Sequence, residues 1–537
     1  MKVLAVIPAA EGLEKLPNRN LRVLDGKPII YYVLKNAKES KYIDDIIVTS
    51  NSDAVLTVVE QIGGVRLYKR PESLCGTDIP LEVIINDLRN EVDFDKYDYI
   101  VTMQSISTTL TVETLDEALR KCVDKKIDTM ISVVEKKNYL WTIDNGNINS
   151  YQKERTSKES RKSFYMETGA FFISRPWYIS DDSRIGGKVE LYPLKTDESV
   201  DVMSFGDLKE AEYVITKKKI AFYVNGNETI GMGHINRVLL LADELFSKPT
   251  IFYDVNITKA EYFNSDCYDI KGVNGVDDLV NQLISGGYNL LINDILQTSI
   301  DYMRLLKFKL PYLKIVNFED DGEGSQYADL VINALYNDSF NEKWRVGADY
   351  YMAPKLYLLQ KPIDIKPKVE NVIITFGGAD PENYTHQIAK IIAKDEYKDT
   401  IFHIVIGPAN QHYDQIKDTC RQYRNIILYQ NLNGLLPLMQ KCDAAICSRG
   451  RTGFELAICG IPTMCFAQNE REERHTFLSE KNGYSYIGFR PSDKIVKRTL
   501  DELLASSVDE RKNKQKLMQK HNLKNGRRNV IELINNL

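Results

Sequence analysis

The sequence predicts an α/β protein built from several layered domains, and three observations carry that expectation. Short β-rich apolar runs alternate with amphipathic helical stretches along most of the chain. A strand, a polar glycine-bearing loop and a helix open in succession at KVLAVIPAAEG, at KKIAFYVNGNETIGMGHINRVLLLADEL and at VIITFGGADPENYTHQIAKII. The length of 537 residues, 43% of them hydrophobic, exceeds what one core organises and supplies apolar material for more than one.

A first domain is expected over residues 1–216. Its strand-like runs at 46–49, 99–103 and 129–134 alternate with helical patterns at 28–37 and 112–122. The acidic stretch 197–207, the helical pattern DLKEAEYVI and the lysine run 217–219 mark its end. A second domain, 217–355, repeats the alternation through strands near Thr250, Leu290 and Lys314. Pro354, Pro362 and Pro367 then interrupt the pattern, so 356–370 reads as a linker. The third domain, 371–537, adds strands at 402–406, 426–429 and 444–447. It closes on a charged segment, 511–537, whose apolar residues from Val530 to Leu537 recur at helical spacing and are expected to dock back as a helix.

Seventy Lys and Arg against seventy-five Asp and Glu leave a formal charge of −5. That balance gives no reason to bind nucleic acid or an anionic membrane, so any phosphate must be held locally. The eight cysteines fall at irregular positions without a CxxC pair, which predicts reduced thiols. MKVLAVIPAAEG is too short for a signal peptide and no run reaches membrane-spanning length, so a cytoplasmic location is expected.

The residues with chemistry cluster at the strand-to-helix turns. In GMGHINR, Gly231 and Gly233 let a ligand approach main-chain amides at a helix start, and His234 is the general-base candidate; a capping or packed histidine is the plainer reading. Gly377 and Gly378 offer bare amides to a diphosphate, or make an ordinary tight turn. Ser448, Arg449, Gly450, Arg451 and Thr452 precede a further helix and supply donors and positive charge for the same group. Asn469, Glu470, Arg471 and His475 form a polar cluster after a strand, facing either a sugar and pyrophosphate or water.

IPAAEGLEKLPNRNL resembles the N-terminal signature of the CMP-sialic acid synthetase family of cytidylyltransferases. Ile7, Pro8, Ala9, Gly12, Leu16, Pro17 and Asn20 agree with that signature, and Arg19 keeps the charge of a lysine. The resemblance extends through RPESLCGTD from Arg70, Gln104 in MQSIST, METGAFFI with Glu167, and VDVMSFGDLKEAE with Asp201. It implies a nucleotidyltransferase-like Rossmann-type domain with a nucleotide site at Gly12, Arg19, Asn20, Arg70, Gln104 and Glu167, and the family's habit of forming homodimers. It also implies Mg²⁺ at Asp201 if the domain is active. The departures bear on that condition: Ala10 and Glu14 stand where the family has an arginine and a lysine, and Met203 where it has a second metal-binding carboxylate. Each such charge interaction is of order 4 kcal/mol at about 4 Å in an effective dielectric near 20. An active cytidylyltransferase and a non-catalytic binding or assembly unit therefore both stay open.

GMGHINR also resembles the G-x-G-H-x-x-R signature of the UDP-sugar hydrolase of pseudaminic acid biosynthesis and of related GT-B glycosyltransferases. The likeness runs on through Asp294 in LLINDI, NFEDD at 317–321, ITFGGADPEN, CSRGRTGFELAICGIP and AQNEREERHTF. It implies a GT-B module of two Rossmann-like domains that binds a UDP- or CMP-linked sugar and needs no cofactor, with Arg237 and Asp294 at the substrate and Glu455 on the ribose. His234 would activate water for hydrolysis of a deoxyamino or nonulosonic sugar nucleotide. The alternative is a glycosyltransferase for a surface glycan or flagellin, in which the acceptor hydroxyl replaces water.

Overall fold

The computed structural model describes residues 1–11, 16–76, 78–152, 154–227, 232–263, 265–336, 341–430, 432 and 434–537. It divides into two compact units, Met1–Lys217 and Lys218–Leu537. The α/β class holds in both.

Unit 1 is built on a seven-stranded sheet in the order Val189–Pro193, Thr129–Lys136, Phe164–Ser174, Tyr99–Thr102, Val3–Pro8, Asp45–Ser50, Arg66–Lys69. Phe164–Ser174 runs antiparallel to both neighbours and the remaining pairings are parallel. Val3–Pro8 is buried because helices cover both faces of the sheet, which is why it reads as an unbroken apolar run. Strand order reverses between Val3–Pro8 and Tyr99–Thr102, so the loops leaving those two strands frame a crevice. The hairpin Trp141–Asp144 and Asn147–Ser150 stands apart and leaves Trp141, Ile143 and Ile148 exposed.

Unit 2 holds two parallel sheets, the arrangement of the GT-B module. The first is seven-stranded, in the order Asp269–Val273, Thr250–Asp254, Ile220–Val224, Leu290–Asp294, Lys314–Phe318, Leu330–Asn333, Trp344–Val346. The second is six-stranded: Ile426–Gln430, Ile401–Ile406, Asn371–Thr375, Ala444–Ser448, Thr463–Ala467, Ser485–Phe489. Each reverses its order once near the middle, between Ile220–Val224 and Leu290–Asp294 in one, and between Asn371–Thr375 and Ala444–Ser448 in the other. Ligands of open parallel sheets bind outside the carboxyl ends of the strands at such points.

The segment expected to be a linker is packed. Ile363 N–H donates to Cys459 O at 2.8 Å, and Tyr357 is buried. The fully buried Arg511 donates to Lys366 O at 2.8 Å, Pro367 O at 3.0 Å and Ser506 O at 3.2 Å. The terminal segment forms two helices, Val508–Met518 and Gly526–Asn535. The second docks on the first sheet of unit 2, with Val530 and Ile534 in one cluster with Ile220, Phe222 and Leu290. All eight cysteines are free thiols. Among the described residues no helix is long and apolar enough to cross a membrane.

Candidate functional site

In unit 2 the strand Ile220–Val224 feeds the helix Gly233–Ala242, whose first turn carries His234 and Arg237, both buried. The neighbouring strand ends in Asp294, fully buried. Because the sheet order reverses between these strands, the helix start and the carboxylate face one another: His234 Nδ1 lies 2.6 Å from Asp294 Oδ1. Arg237 grips the same carboxylate with two donors, Nε to Oδ2 at 2.7 Å and Nη2 to Oδ1 at 2.5 Å. An Asp held this way fixes the Nδ1–H tautomer and leaves Nε2 as the basic nitrogen. Among the described residues no hydrogen bond engages that Nε2. Burial pushes the Asp294 carboxyl up, but the adjacent Arg237 and His234 prevail and hold it below its ordinary range.

Glu319 follows the strand Lys314–Phe318 and extends the array toward the second sheet. Its Oε1 forms an ion pair with Arg237 Nη1 at 2.5 Å, and its Oε2 pairs with Arg451. Arg471 donates to Glu319 O at 3.3 Å and to Tyr336 Oη at 2.9 Å. Burial opposes ionisation of Glu319, yet Arg237 and Arg451 together hold its carboxyl well below the usual range. Gly233 makes room for this crossing, since a Cβ there would overlap the Arg451 guanidinium. Beside it opens a cavity of about 380 Å³ lined by Leu296, Gln297, Asp321, Glu470, Arg471 and Arg474, with Arg474 and Asp321 paired at 2.6 Å.

On the second sheet, Gly377 adopts a left-handed φ of 74° and a Cβ on either Gly377 or Gly378 would meet nothing within 4 Å. Both glycines are exposed, and Gly407 supports the turn, because a Cβ there would overlap both glycines' backbone. The helix that follows, Tyr384–Ile392, is closed to an anion: Asp380 accepts from Tyr384 N–H at 2.9 Å and from Thr385 N–H at 2.8 Å.

Several expected ligands have other partners. Arg449 is buried, donates to Leu478 O at 3.1 Å and Glu473 O at 2.7 Å, and lies over the Tyr486 ring; it braces the main chain and is not free for phosphate. Arg237 and Asp294 are buried against each other, so they position His234 and do not bind substrate. Asn469 caps the short helix Glu470–Glu473. Glu455 accepts from Tyr357 Oη at 2.8 Å through one carboxylate oxygen, and burial pushes its carboxyl up to about 7. His475 is buried, with Nδ1 2.7 Å from Arg449 O and, among the described residues, no partner on Nε2; burial lowers it to about 4, so it is a neutral acceptor. Ser448 lies buried at its strand end, Gly450 has the Glu472 carboxylate beside it, and Thr452 opens the helix Thr452–Cys459. Gly231 lies outside the described residues. Glu319, Asp321, Arg474 and Gly407 were not singled out from sequence, although the run of three acids in NFEDD after an apolar strand was the available signal for the first two.

In unit 1 the structure brings Arg19, Asn20, Gln104 and Asp201 to the crevice. Asn20 ties its two loops together, donating to Ala10 O at 2.7 Å and accepting from Ser105 Oγ at 2.5 Å. Gln104 N–H donates to Gly169 O at 2.9 Å, and the Arg19 charge acts on Asp201. Arg70 is buried against Thr49 O, and Glu167 is exposed on its strand. Gly12 and Glu14 lie outside the described residues. The surroundings of Asp201 do not fit Mg²⁺. One oxygen accepts from Ser107 Oγ and the other from Gly169 N–H at 2.8 Å, burial raises the carboxyl, and Met203 is exposed with only a thioether to offer. Among the described residues no cluster of three His, Cys, Asp or Glu side chains could hold a metal.

The chain is similar to several known proteins. Residues 4–177 match the family model described as Cytidylyltransferase. The Helicobacter pylori protein named pseudaminic acid cytidylyltransferase and UDP-2,4-diacetamido-2,4,6-trideoxy-beta-L-altropyranose hydrolase is 21% identical over 494 residues, covering 86% of this chain and 88% of that one. The spore coat polysaccharide biosynthesis protein SpsG of Bacillus subtilis is 24% identical over 268 residues, 47% of this chain and 78% of its own. An uncharacterized protein of Methanocaldococcus jannaschii is 28% identical over 278 residues, 47% of this chain; the chain spans only 56% of that relative's length.

Proposed function

We propose that unit 2 hydrolyses a nucleotide-linked deoxyamino sugar at its anomeric carbon, within the metabolism of nonulosonic acids. The observation that carries this reading is the His234–Asp294 pair, 2.6 Å apart and clamped by Arg237, at the reversal point of its sheet. In this mechanism His234 Nε2 takes a proton from water and the water oxygen bonds to the anomeric carbon. The bond from that carbon to the diphosphate oxygen breaks, and its electron pair leaves with the nucleoside diphosphate. The amides of Gly377 and Gly378 and the Arg451 guanidinium receive that charge. Asp294 stabilises the imidazolium formed on the way. The H. pylori relative's name supports a UDP-linked diacetamido-trideoxyhexose as the substrate class.

For unit 1 the match to cytidylyltransferases supports nucleotide binding, while the lost cations and the poor metal donors support a binding or assembly role without synthetase turnover. The exposed apolar hairpin supports the homodimer that the family resemblance implies.

The test is purified chain incubated with UDP-deoxyamino sugars, and separately with CTP plus a nonulosonic acid, with products resolved by mass spectrometry. Release of UDP and free sugar is expected in the first mixture and no product in the second. His234→Ala should lower turnover about 10²- to 10⁴-fold; undiminished hydrolysis by that variant would overturn the general-base assignment. The B. subtilis relative is named for spore coat polysaccharide biosynthesis, so transfer of the sugar to a glycan acceptor is the second reading, and turnover that waits for an added sugar acceptor would select it.

A further inference from the structure

We infer that Glu319 is a positioning residue that couples the two sides of the unit 2 cleft: through Arg237 it braces the His234–Asp294 pair, and through Arg451 it restrains the cation that a nucleoside diphosphate would claim. The first half of this statement rests on the reading of His234 as base; the second half does not.

Three observations support it. Glu319 adopts a left-handed φ of 49°, an unfavourable conformation for a side chain with a Cβ. It is held there by Glu319 N–H donating to Ile332 O at 2.8 Å and by Arg471 donating to its carbonyl. That backbone turn directs the carboxylate to both arginines at once.

The second observation is charge balance. Arg237 and Arg451 face Asp294 and Glu319, two cations against two anions, around a histidine at the start of the same helix as Arg237. Removing the Glu319 charge leaves Arg237 paired with Asp294 alone and takes from Arg451 the carboxylate it is paired with, so the restraint on Arg237, and through it the geometry imposed on Asp294, relaxes.

The third is asymmetry of burial. The Glu319 side chain is 5% exposed, whereas that of Arg451 is 29% exposed, so Arg451 is the partner free to turn toward an arriving anion. Glu319 and a diphosphate compete for one guanidinium. Occupation of the leaving-group side is thereby felt at Arg237, and through it at the base.

This competition gives the inference a signature that a merely structural brace lacks. In the full chain, Glu319→Gln should lower kcat about 10- to 100-fold, the scale of a small misplacement of a catalytic group. It should also tighten UDP binding, measured by calorimetry, about three- to tenfold, because Arg451 is released. Placed on Arg451→Gln, the same substitution should no longer tighten UDP. Glu319→Asp, which keeps the charge, should recover part of kcat and hold UDP near the unaltered affinity.

Weaker or unchanged UDP binding by folded Glu319→Gln would overturn the coupling. If that variant does not fold, the charge-balanced double variant compared with Arg451→Gln decides: equal UDP affinity with about tenfold lower kcat supports the inference, and equal kcat sinks it. Failure of the base reading is separately visible, since an active His234→Ala leaves the UDP competition intact.

Discussion

A guanidinium between a strand and a helix is a natural phosphate ligand, yet Arg449 and Arg451, two residues apart, have different tasks. Arg449 bonds main chain 24 and 29 residues away, a pairing no local pattern announces. His234, Arg237 and Asp294 were legible because two of them share one helical turn and the third ends an apolar strand. Their mutual burial, which changes Arg237 and Asp294 from ligands to supports, depends on which strands are neighbours. His475 yields a prediction in pH. Its folded-state value is lowered from 6.5 to about 4, so its contribution is present above about pH 6.5 and is lost as pH falls toward 4. Between pH 7 and 5 this one group should cost about 2 kcal/mol of stability. His475→Asn, followed by urea unfolding at both pH values, should abolish that part of the loss; an undiminished acid sensitivity would locate it elsewhere.

At the level of elements, strands were the most legible feature, because parallel strands buried on both faces appear as short apolar runs between glycine-bearing turns. The prolines at 354, 362 and 367 marked an irregular segment correctly but suggested a loose one. Its main-chain carbonyls are instead satisfied by Arg511 from the helix Val508–Met518, across 144 and 145 residues of sequence. The terminal segment is two helices because the sequence HNLKNG interrupts it, Asn522 leaving helical geometry with ψ 67°. Arg511→Met should therefore destabilise unit 2 by about 2 to 4 kcal/mol, through lost hydrogen bonds from a buried charge and orphaned carbonyls. Limited proteolysis should then cut within 361–368 well before the rest of the chain; unchanged resistance there would show that Arg511 does not pin the segment.

For the whole molecule, the division between Lys217 and Lys218 gives each unit its own sheets and cores. The run of three lysines marked that boundary in sequence, and Ala10, Glu14 and Met203 already showed there where unit 1 departs from the cytidylyltransferase pattern; the hydrogen bonds that occupy Asp201 needed the structure to be seen. Residues 218–537 expressed alone should hydrolyse UDP-deoxyamino sugars within about threefold of the full-length rate, measured by coupled UDP release; loss of all turnover on separation would show that unit 1 completes the site. The terminal helix has a consequence for biosynthesis. Lys218 donates to Ile534 O across 316 residues, and Val530 and Ile534 complete the apolar layer begun by Ile220 and Phe222. At about 5 to 20 residues per second, a ribosome needs roughly a quarter of a minute to a minute to deliver that last helix. Throughout that interval the nascent sheet carries an uncovered greasy face, so a premature stop before Gly526 would leave it sticky for good.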